Sequence, residues 1–401
     1  MSINVDNNQT ALAILPILRL AFRPLFLGGT LFSVIAIAWW IHFWLKPTQW
    51  MPYGGPIWWH GHEMLFGFGV AIVTGFLLTA VKTWTGVAGL RGKLLGAFVS
   101  IWLLGRILIS FGNGLDGWII ASVDVAYLIF AAIAMAYPVV KVKQWRNLMF
   151  VPILLILASL NATSHWAVLS NDPLLATKTL HATIILFTLI IAILGGRVIP
   201  ALTANGTGKP KLPAINLLEI TSIVSILFLV AIALIGFNQV DSKFLLNVSI
   251  IAAAANGLRF LRWGIQHTWT IPLLWSLHLS FIFIPSGFIL LALYAAGLMD
   301  NLSAALHSFT VGAIGGMILA MISRVTLGHT GRPLKPHSLI SVAYIFILLS
   351  AVVRVALPAW MPEMYSLSIG LAGVLWILAY AVYLFFYTPM LVTTRADGRP
   401  G

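Results

Sequence analysis

Long apolar runs, separated by short polar stretches, recur along the entire chain. Most extend over roughly 18 to 27 residues, which is long enough for a helix to cross about 30 Å of hydrocarbon. In a soluble protein, polar residues would interrupt such runs at the helical period. The pattern therefore predicts an all-α, polytopic membrane protein with about 12 transmembrane helices. These helices are expected to begin near Pro24, Trp58, Leu94, Trp118, Leu148, Leu180, Ile215, Phe244, Ile271, Leu302, Leu339 and Tyr365.

The same pattern divides the chain into three parts. Residues 1–23 form an N-terminal segment, residues 24–387 a single transmembrane domain, and residues 388–401 a tail. Residues 11–20 are apolar but too few to cross a bilayer, so they could lie along its surface as an interfacial helix. No positively charged region precedes a cleavage site near the N-terminus, and we expect no removable signal peptide.

The composition strengthens the membrane assignment and argues against nucleic-acid binding. Charged residues make up 8% of the chain, whereas soluble domains contain roughly a quarter. The net charge is +13, but the basic residues lie in short clusters between the apolar runs and do not form one stripe. An anionic membrane surface accounts for such clusters. We therefore expect contact with membrane lipid and none with nucleic acid.

The distribution of basic residues predicts the orientation. Eighteen of the 23 Lys and Arg residues lie in the two termini or in the loops on the same side of the membrane as the termini. Three lie in the loops on the other side of the membrane. The remaining two, Arg106 and Arg354, lie inside predicted helices. Because cytoplasmic loops carry the excess of positive charge, both termini are predicted to be cytoplasmic.

The chain contains no cysteine. This excludes disulfides, thiolate ligands, iron–sulfur clusters and covalent attachment of a c-type haem. Any metal must therefore be held by histidine, methionine, carboxylate or backbone oxygen, and any haem must be bound non-covalently, most simply as a b-type haem with a histidine ligand.

Predicted helices two, six and ten resemble one another. Each carries a histidine near its start, namely His62, His181 and His307, and each ends in a basic residue followed by a Thr-Gly pair. An even number of helices between them preserves their direction, so the pattern predicts three parallel four-helix repeats. The alternative is a general similarity among apolar helices. If the repeat is real, it places the three histidines at one depth.

The densest cluster of polar chemistry is the stretch Trp-Trp-His-Gly-His-Glu-Met at 58–64. His60 and His62 would point about 200° apart on a regular helix. They therefore serve two centres, or Gly61 marks an irregular start that lets them converge. Imidazole suits iron and copper, and the thioether of Met64 favours Cu(I). The alternative is that both histidines only cap the helix at the interface.

Helix ten supplies His307, followed by Gly312, Gly315 and Gly316. Ionisable residues inside membrane spans are usually functional, so His307 is a candidate haem ligand together with His60 or His62. The glycines could leave room for a flat macrocycle, or they could serve close helix packing.

The remaining histidines have different predicted roles. His181 is a candidate ligand for a second metal, together with Met64. His278 lies deeper in its helix, where it could be a second axial ligand or a structural histidine bonded to a carbonyl. His42 and His165, at helix ends on the side away from the termini, are expected to be interfacial.

Two arginines lie inside predicted spans, where a guanidinium cannot deprotonate and must find an anion. Arg106 and Arg354 are expected at similar depth, so they could clamp the two carboxylates of a haem. The alternative is structural pairing with a carbonyl or with an acid. In the half of the spans away from the termini, the fixed acids are Glu63 and Asp124.

Several stretches resemble the NnrS family of membrane proteins. The specific ones are Trp-His-Gly-His-Glu-Met-Leu-Phe-Gly at 59–67 and Gly-His-Thr-Gly-Arg-Pro at 328–333, within a longer match over 307–334. Others are Leu-Ala-Phe-Arg-Pro-Leu-Phe at 20–26, Gly-Gly-Arg-Val-Ile-Pro at 195–200 and Leu-His-Leu at 277–279. Together they span nearly the whole chain in the family's order.

The resemblance implies a 12-helix fold, haem and copper, and a role in nitric oxide metabolism, denitrification and resistance to nitrosative stress. It brings no established set of ligands. Three interpretations remain open: a haem protein acting on nitric oxide or iron–nitrosyl species, a metal or proton transporter or sensor, and an accessory protein that assembles another enzyme. Whether the chain turns over a substrate does not follow from the sequence.

Overall fold

The structure, a computed structural model, describes residues 13–46 and 48–399 and confirms the all-α prediction. Among these residues there is no β-strand, and 12 helical spans are long and apolar enough to cross a membrane. We label the spans, with their short 3₁₀ turns, in chain order: α1 (Phe22–Leu45), α2 (Pro56–Thr85), α3 (Gly92–Phe111), α4 (Gly117–Lys141), α5 (Trp145–Leu169), α6 (Pro173–Thr207), α7 (Asn216–Ile235), α8 (Ser242–His267), α9 (Pro272–Ala295), α10 (Leu302–His329), α11 (Ser338–Trp360) and α12 (Pro362–Val392).

The helix starts agree with the predicted ones to within a few residues, except in α6. That helix begins at Pro173, about two turns before the predicted Leu180. Asp172 caps it by accepting a hydrogen bond from the backbone N–H of Leu175 at 2.9 Å. A proline in the first turn also favours helix initiation. The cap therefore extends the helix beyond its most apolar stretch.

Near both ends of the described chain, the helices also differ from the predicted segment boundaries. Helix α12 continues to Val392, past the predicted boundary at 387. Of the predicted interfacial helix at 11–20, residues 11 and 12 lie outside the described residues. The rest contains only a 3₁₀ turn at Pro16–Leu18, which ends before α1 begins.

Helices α2, α6 and α10 lie at the centre of the bundle. In α2 and α10, 78% of the most apolar stretch is buried inside the protein, and in α6 the share is 67%, whereas in α7 it is 33%. These central helices are the three whose sequences resemble one another. The repeat itself stays a prediction.

Two of the central helices change their winding immediately after a histidine. The π-helical segment Glu63–Gly69 follows His62 in α2, and the π-helical segment Ser308–Gly315 follows His307 in α10. Helix α6 is α-helical from end to end. Single π turns are rare and frequently mark functional sites.

The start of α1 and the end of α12 meet at one face of the bundle, which we call the termini face. Arg23 Nη1 donates to the backbone oxygens of Leu391 at 2.9 Å and Thr393 at 2.7 Å. Arg395 Nη1 donates to the backbone oxygen of His329 at 2.8 Å, at the end of α10. The starts of α2, α6 and α10 consequently lie toward the other end of the bundle, which we call the opposite face.

Candidate functional site

A cavity of about 380 Å³ lies between the three central helices, toward the opposite face. Helices α2, α6 and α10 contribute one histidine each, namely His60, His181 and His307. Met64 and Arg354 also line it. Its volume falls in the range of roughly 300–1,000 Å³ that is usual for small-molecule and cofactor sites. Most of the remaining wall is apolar, including Ile37, Trp40, Leu65, Phe68, Ile184, Leu306, Val311 and Trp376.

His307 is held in a defined orientation. Its Nδ1 lies 2.7 Å from the backbone oxygen of Ser303, one turn earlier in α10. Because a carbonyl only accepts, Nδ1 must carry the proton, and the lone pair lies on Nε2. Metal-bound histidines almost always donate their other ring N–H in this way. His307 is thus prepared to bind a metal through Nε2.

His60 leaves a ring nitrogen without a partner. The imidazole stacks on Trp40, with ring centroids 4.4 Å apart and planes 12° from parallel. Among the described residues, no group forms a hydrogen bond with its buried Nδ1. A buried unsatisfied polar atom costs about 1–3 kcal/mol, so a ligand in the cavity would relieve this cost if it engaged His60.

Arg354 brings a positive charge to the cavity wall. Its Nη2 donates to Ser303 Oγ at 3.2 Å and to Tyr365 Oη at 3.3 Å, both uncharged. Its Nη1 is buried, and no described residue accepts a hydrogen bond from it. A guanidinium stays charged in a protein, so the cavity is suited to an anionic group such as a carboxylate.

Arg106 does not reach this cavity. It lies instead in a second, buried group of charges, which we call the ion-pair cluster: His62, Glu63, Arg106 and Asp124. Arg106 Nη1 donates to Glu63 Oε1 at 2.6 Å, and Nη2 donates to Asp124 Oδ1. The two arginines predicted to clamp one haem therefore lie in different sites, and Arg106 adopts the alternative, structural pairing with acids.

Two glycines make space for the ion pair between Arg106 and Asp124. A Cβ atom at Gly67 would lie 2.7 Å from Arg106 Nη1, and one at Gly105 would lie 3.0 Å from Asp124 Oδ1. The absence of side chains at these positions lets α2, α3 and α4 approach closely enough to share the ion pair.

His60 and His62 diverge, as expected for a regular helix. Residues Pro56–His62 are α-helical, so Gly61 does not mark an irregular start. A Cβ at Gly61 would lie 3.0 Å from Leu180 Cδ1, which indicates close contact with α6. Of the two alternatives, the structure favours separate sites: His60 lines the cavity, and His62 belongs to the ion-pair cluster.

His278 and the glycines of α10 take the structural alternatives. His278 Nδ1 donates to the backbone oxygen of Leu274 at 3.0 Å, and the residue does not line the cavity. The α10 glycines meet side chains of neighbouring helices, so they allow helix packing and do not open space for a macrocycle. The neighbours are Phe283 at Gly312, Trp376 at Gly315 and Ser280 at Gly316.

Two polar residues of α5 join the ion-pair cluster, and sequence reasoning missed both. His165, expected at the interface, is 1% exposed, and its Nε2 lies 3.2 Å from Asp124 Oδ2. Asn161 Nδ2 donates to the same oxygen at 2.7 Å. Asn161 and His165 are four residues apart and therefore share a helix face. Two polar residues at this spacing in an apolar helix could have indicated a buried polar site.

The chain matches the family described as NnrS protein over residues 16–395. A search of curated proteins finds no match. Since the family match covers nearly the entire length and agrees with the 12 helical spans, this multi-pass membrane protein belongs to the NnrS family.

Proposed function

We propose that this protein binds haem and copper in a bacterial inner membrane and acts in nitric oxide metabolism or in resistance to nitrosative stress. The observation that carries the proposal is the convergence of His60, His181, His307, Met64 and Arg354 on one cavity with otherwise largely apolar walls. Family membership supports the connection with nitric oxide. The proposed partners are nitric oxide or iron–nitrosyl species and membrane lipid.

The cavity residues fit a non-covalent, b-type haem. His307 offers Nε2 because its Nδ1 is engaged by Ser303, and His60 has an unpartnered Nδ1. Arg354 would pair with a propionate, and the apolar wall suits a macrocycle. Bound there, ferrous haem supplies an iron centre that binds nitric oxide. The residues themselves hold the group, neutralise its carboxylate and keep bulk water away.

His181 and Met64 would hold copper. Both line the same cavity, from α6 and α2 respectively. A thioether and an imidazole together favour Cu(I) over harder cations. In this proposal His60 and His307 would hold the haem, and His181 and Met64 would hold the copper, from the walls of the same cavity.

The basic residues orient this arrangement in the membrane. With both termini in the cytoplasm, the termini face is cytoplasmic, and the cavity lies in the periplasmic half of the bilayer. Nitric oxide formed outside the cell membrane would then reach the metal site without crossing the whole protein.

The alternative function is a metal or proton transporter, a sensor or an accessory assembly protein. The ion-pair cluster favours it, because buried ionisable groups in membrane spans often mark ion or proton pathways. A visible spectrum of the purified protein separates the two. An intense Soret band supports the haem proposal, and its absence from protein expressed with ample haem refutes it.

Histidine variants test the residue assignments. We expect His60→Ala and His307→Ala to abolish haem binding and His181→Ala to lower copper content more than haem content, with both metals counted per folded protein. His42→Ala is the matched control, because His42 is exposed and does not line the cavity. Full haem and copper in all three cavity variants would place the metals elsewhere.

A further inference from the structure

Next to Arg106, three side chains from three helices converge on one buried point. His62 Nε2 lies 3.3 Å from Asp124 Oδ2, and His165 Nε2 lies 3.2 Å from the same oxygen. One donor atom of each residue lies within 4.8 Å of those of the other two. Their side chains are 0%, 4% and 1% exposed. Helices α2, α4 and α5 each supply one of them.

The hydrogen bonds of His62 leave a positive charge missing at this point. His62 Nδ1 lies 2.9 Å from Glu63 Oε1 and donates to it, so the lone pair of a neutral ring lies on Nε2. That lone pair faces Asn161 Oδ1 at 2.8 Å and also Asp124 Oδ2. The amide of Asn161 is fixed, because its Nδ2 donates to Asp124. With a neutral ring, Nε2 therefore faces two oxygens that can only accept, and either a second proton on His62 or a bound cation must lie between them.

The same deficit appears in the charge of the cluster. Glu63 and Asp124 bring two negative charges, and Arg106 brings one positive charge. With neutral histidines, one negative charge remains uncompensated in a buried site, where it is costly. A divalent cation would remove the repulsion among the acceptors and change the net charge of the cluster from −1 to +1, which a hydroxide in an open coordination position would balance.

We propose that His62, Asp124 and His165 bind a divalent first-row transition metal ion at a site distinct from the cavity. Two imidazoles and one carboxylate are a ligand set that such ions, iron and zinc in particular, accept with positions left open. Glu63 orients His62 as carboxylates commonly orient metal-bound histidines. Arg106 binds Oδ1 of Asp124, and the ion would bind Oδ2, which also accepts a hydrogen bond from Asn161 Nδ2.

The surroundings also provide an approach to the site. His165 Nδ1 lies 3.4 Å from the hydroxyl of Tyr53, in the loop between α1 and α2 at the opposite face. Tyr53 is only partly buried. Tyr53 therefore connects the site to the opposite face, which is the side from which we expect an ion to enter. The site does not depend on haem or on copper in the cavity.

The test uses the full-length protein in detergent, freed of metal by a chelator and loaded with cobalt(II), whose visible bands report its ligands. We expect one class of bound cobalt that both His165→Gln and Asp124→Asn weaken by at least about tenfold, since even loss of an outer-shell partner costs about 10–100-fold. His165→Gln keeps an N–H group that can donate to Asp124, so we expect this variant to fold.

The matched control is His181→Ala, which alters the cavity and leaves the three ligands intact; it should keep these cobalt bands. Cobalt binding at the wild-type level in both His165→Gln and Asp124→Asn would overturn the proposal, as would a wild-type protein that binds no cobalt. Loss of the bands in His181→Ala alone would assign the ion to the cavity. That result would refute this site and leave the proposed function standing.

Discussion

Replacing each of the two intramembrane arginines by leucine should have opposite consequences, although the sequence presents them as equivalent. Arg106 is 3% exposed and contacts two buried carboxylates, those of Glu63 and Asp124. Arg106→Leu leaves both acids buried without their cation. Removing one partner of a buried ion pair costs about 3–5 kcal/mol, and we expect at least that loss in the free energy of unfolding.

Arg354→Leu removes a charge that no described carboxylate compensates. The lost interactions are hydrogen bonds to Ser303 and Tyr365, at 3.2 and 3.3 Å. Hydrogen bonds to charged groups contribute about 1.5–3 kcal/mol each, but relief of the buried charge offsets much of this. We therefore expect a small change in stability and, under the proposed function, a marked fall in haem occupancy.

The assay combines denaturant unfolding in detergent with haem content per folded protein. Arg106→Leu should lower the unfolding midpoint while the folded fraction keeps its haem. Arg354→Leu should change the unfolding midpoint little and should lower the haem content of the folded protein. Equal destabilisation by the two variants would refute the different environments assigned to them. Full haem content in Arg354→Leu would remove the propionate role from that residue.

Three further outcomes are expected. A reporter that is active only in the cytoplasm should be active when fused after the last residue, and activity of a periplasmic reporter alone would contradict the orientation. Acid-acetone should extract all haem from the protein, because there is no cysteine to attach it; haem retained on a denaturing gel would disprove this. Gly67→Ala should destabilise the protein by about 1–3 kcal/mol, because its Cβ would lie 2.7 Å from Arg106 Nη1 and 2.8 Å from Phe32; an unfolding midpoint equal to that of wild type would show that the site relaxes freely.

The length of the apolar runs was enough to predict the helices, because crossing a bilayer imposes a minimum length. Counting helices between similar segments placed His181 and His307 at comparable depth, and both line the cavity. In α2 the histidine that lines the cavity is His60, whereas the predicted repeat aligned His62 with His181 and His307.

The sequence did not predict which neighbouring helices each intramembrane side chain faces. Arg106 and Arg354 occupy similar places in α3 and α11, yet one faces acids and the other faces the cavity. Which helices are neighbours, and which faces they turn to one another, depends on packing between segments distant in sequence. For that reason His165 was expected at an interface, although α4 and α5 bury it against Asp124.

The π-helical segments that follow His62 and His307 carry a consequence for how this protein tolerates changes in length. Such a segment holds one more residue per turn than the helix around it needs, so deleting one residue within 63–69 would convert it to an ordinary α-helix without breaking the span. Because the deleted residue is the excess one, the residues on either side would keep nearly the same orientation, and His60 would still face the cavity. A one-residue deletion in the regular α-helix that follows, Val70–Thr85, would instead rotate the N-terminal part of the span by about 100° and turn His60 away from the cavity. Compared with each other, the two deletions would separate helix length from the orientation of the metal-binding residues, and the same holds for the segment 308–315 in α10.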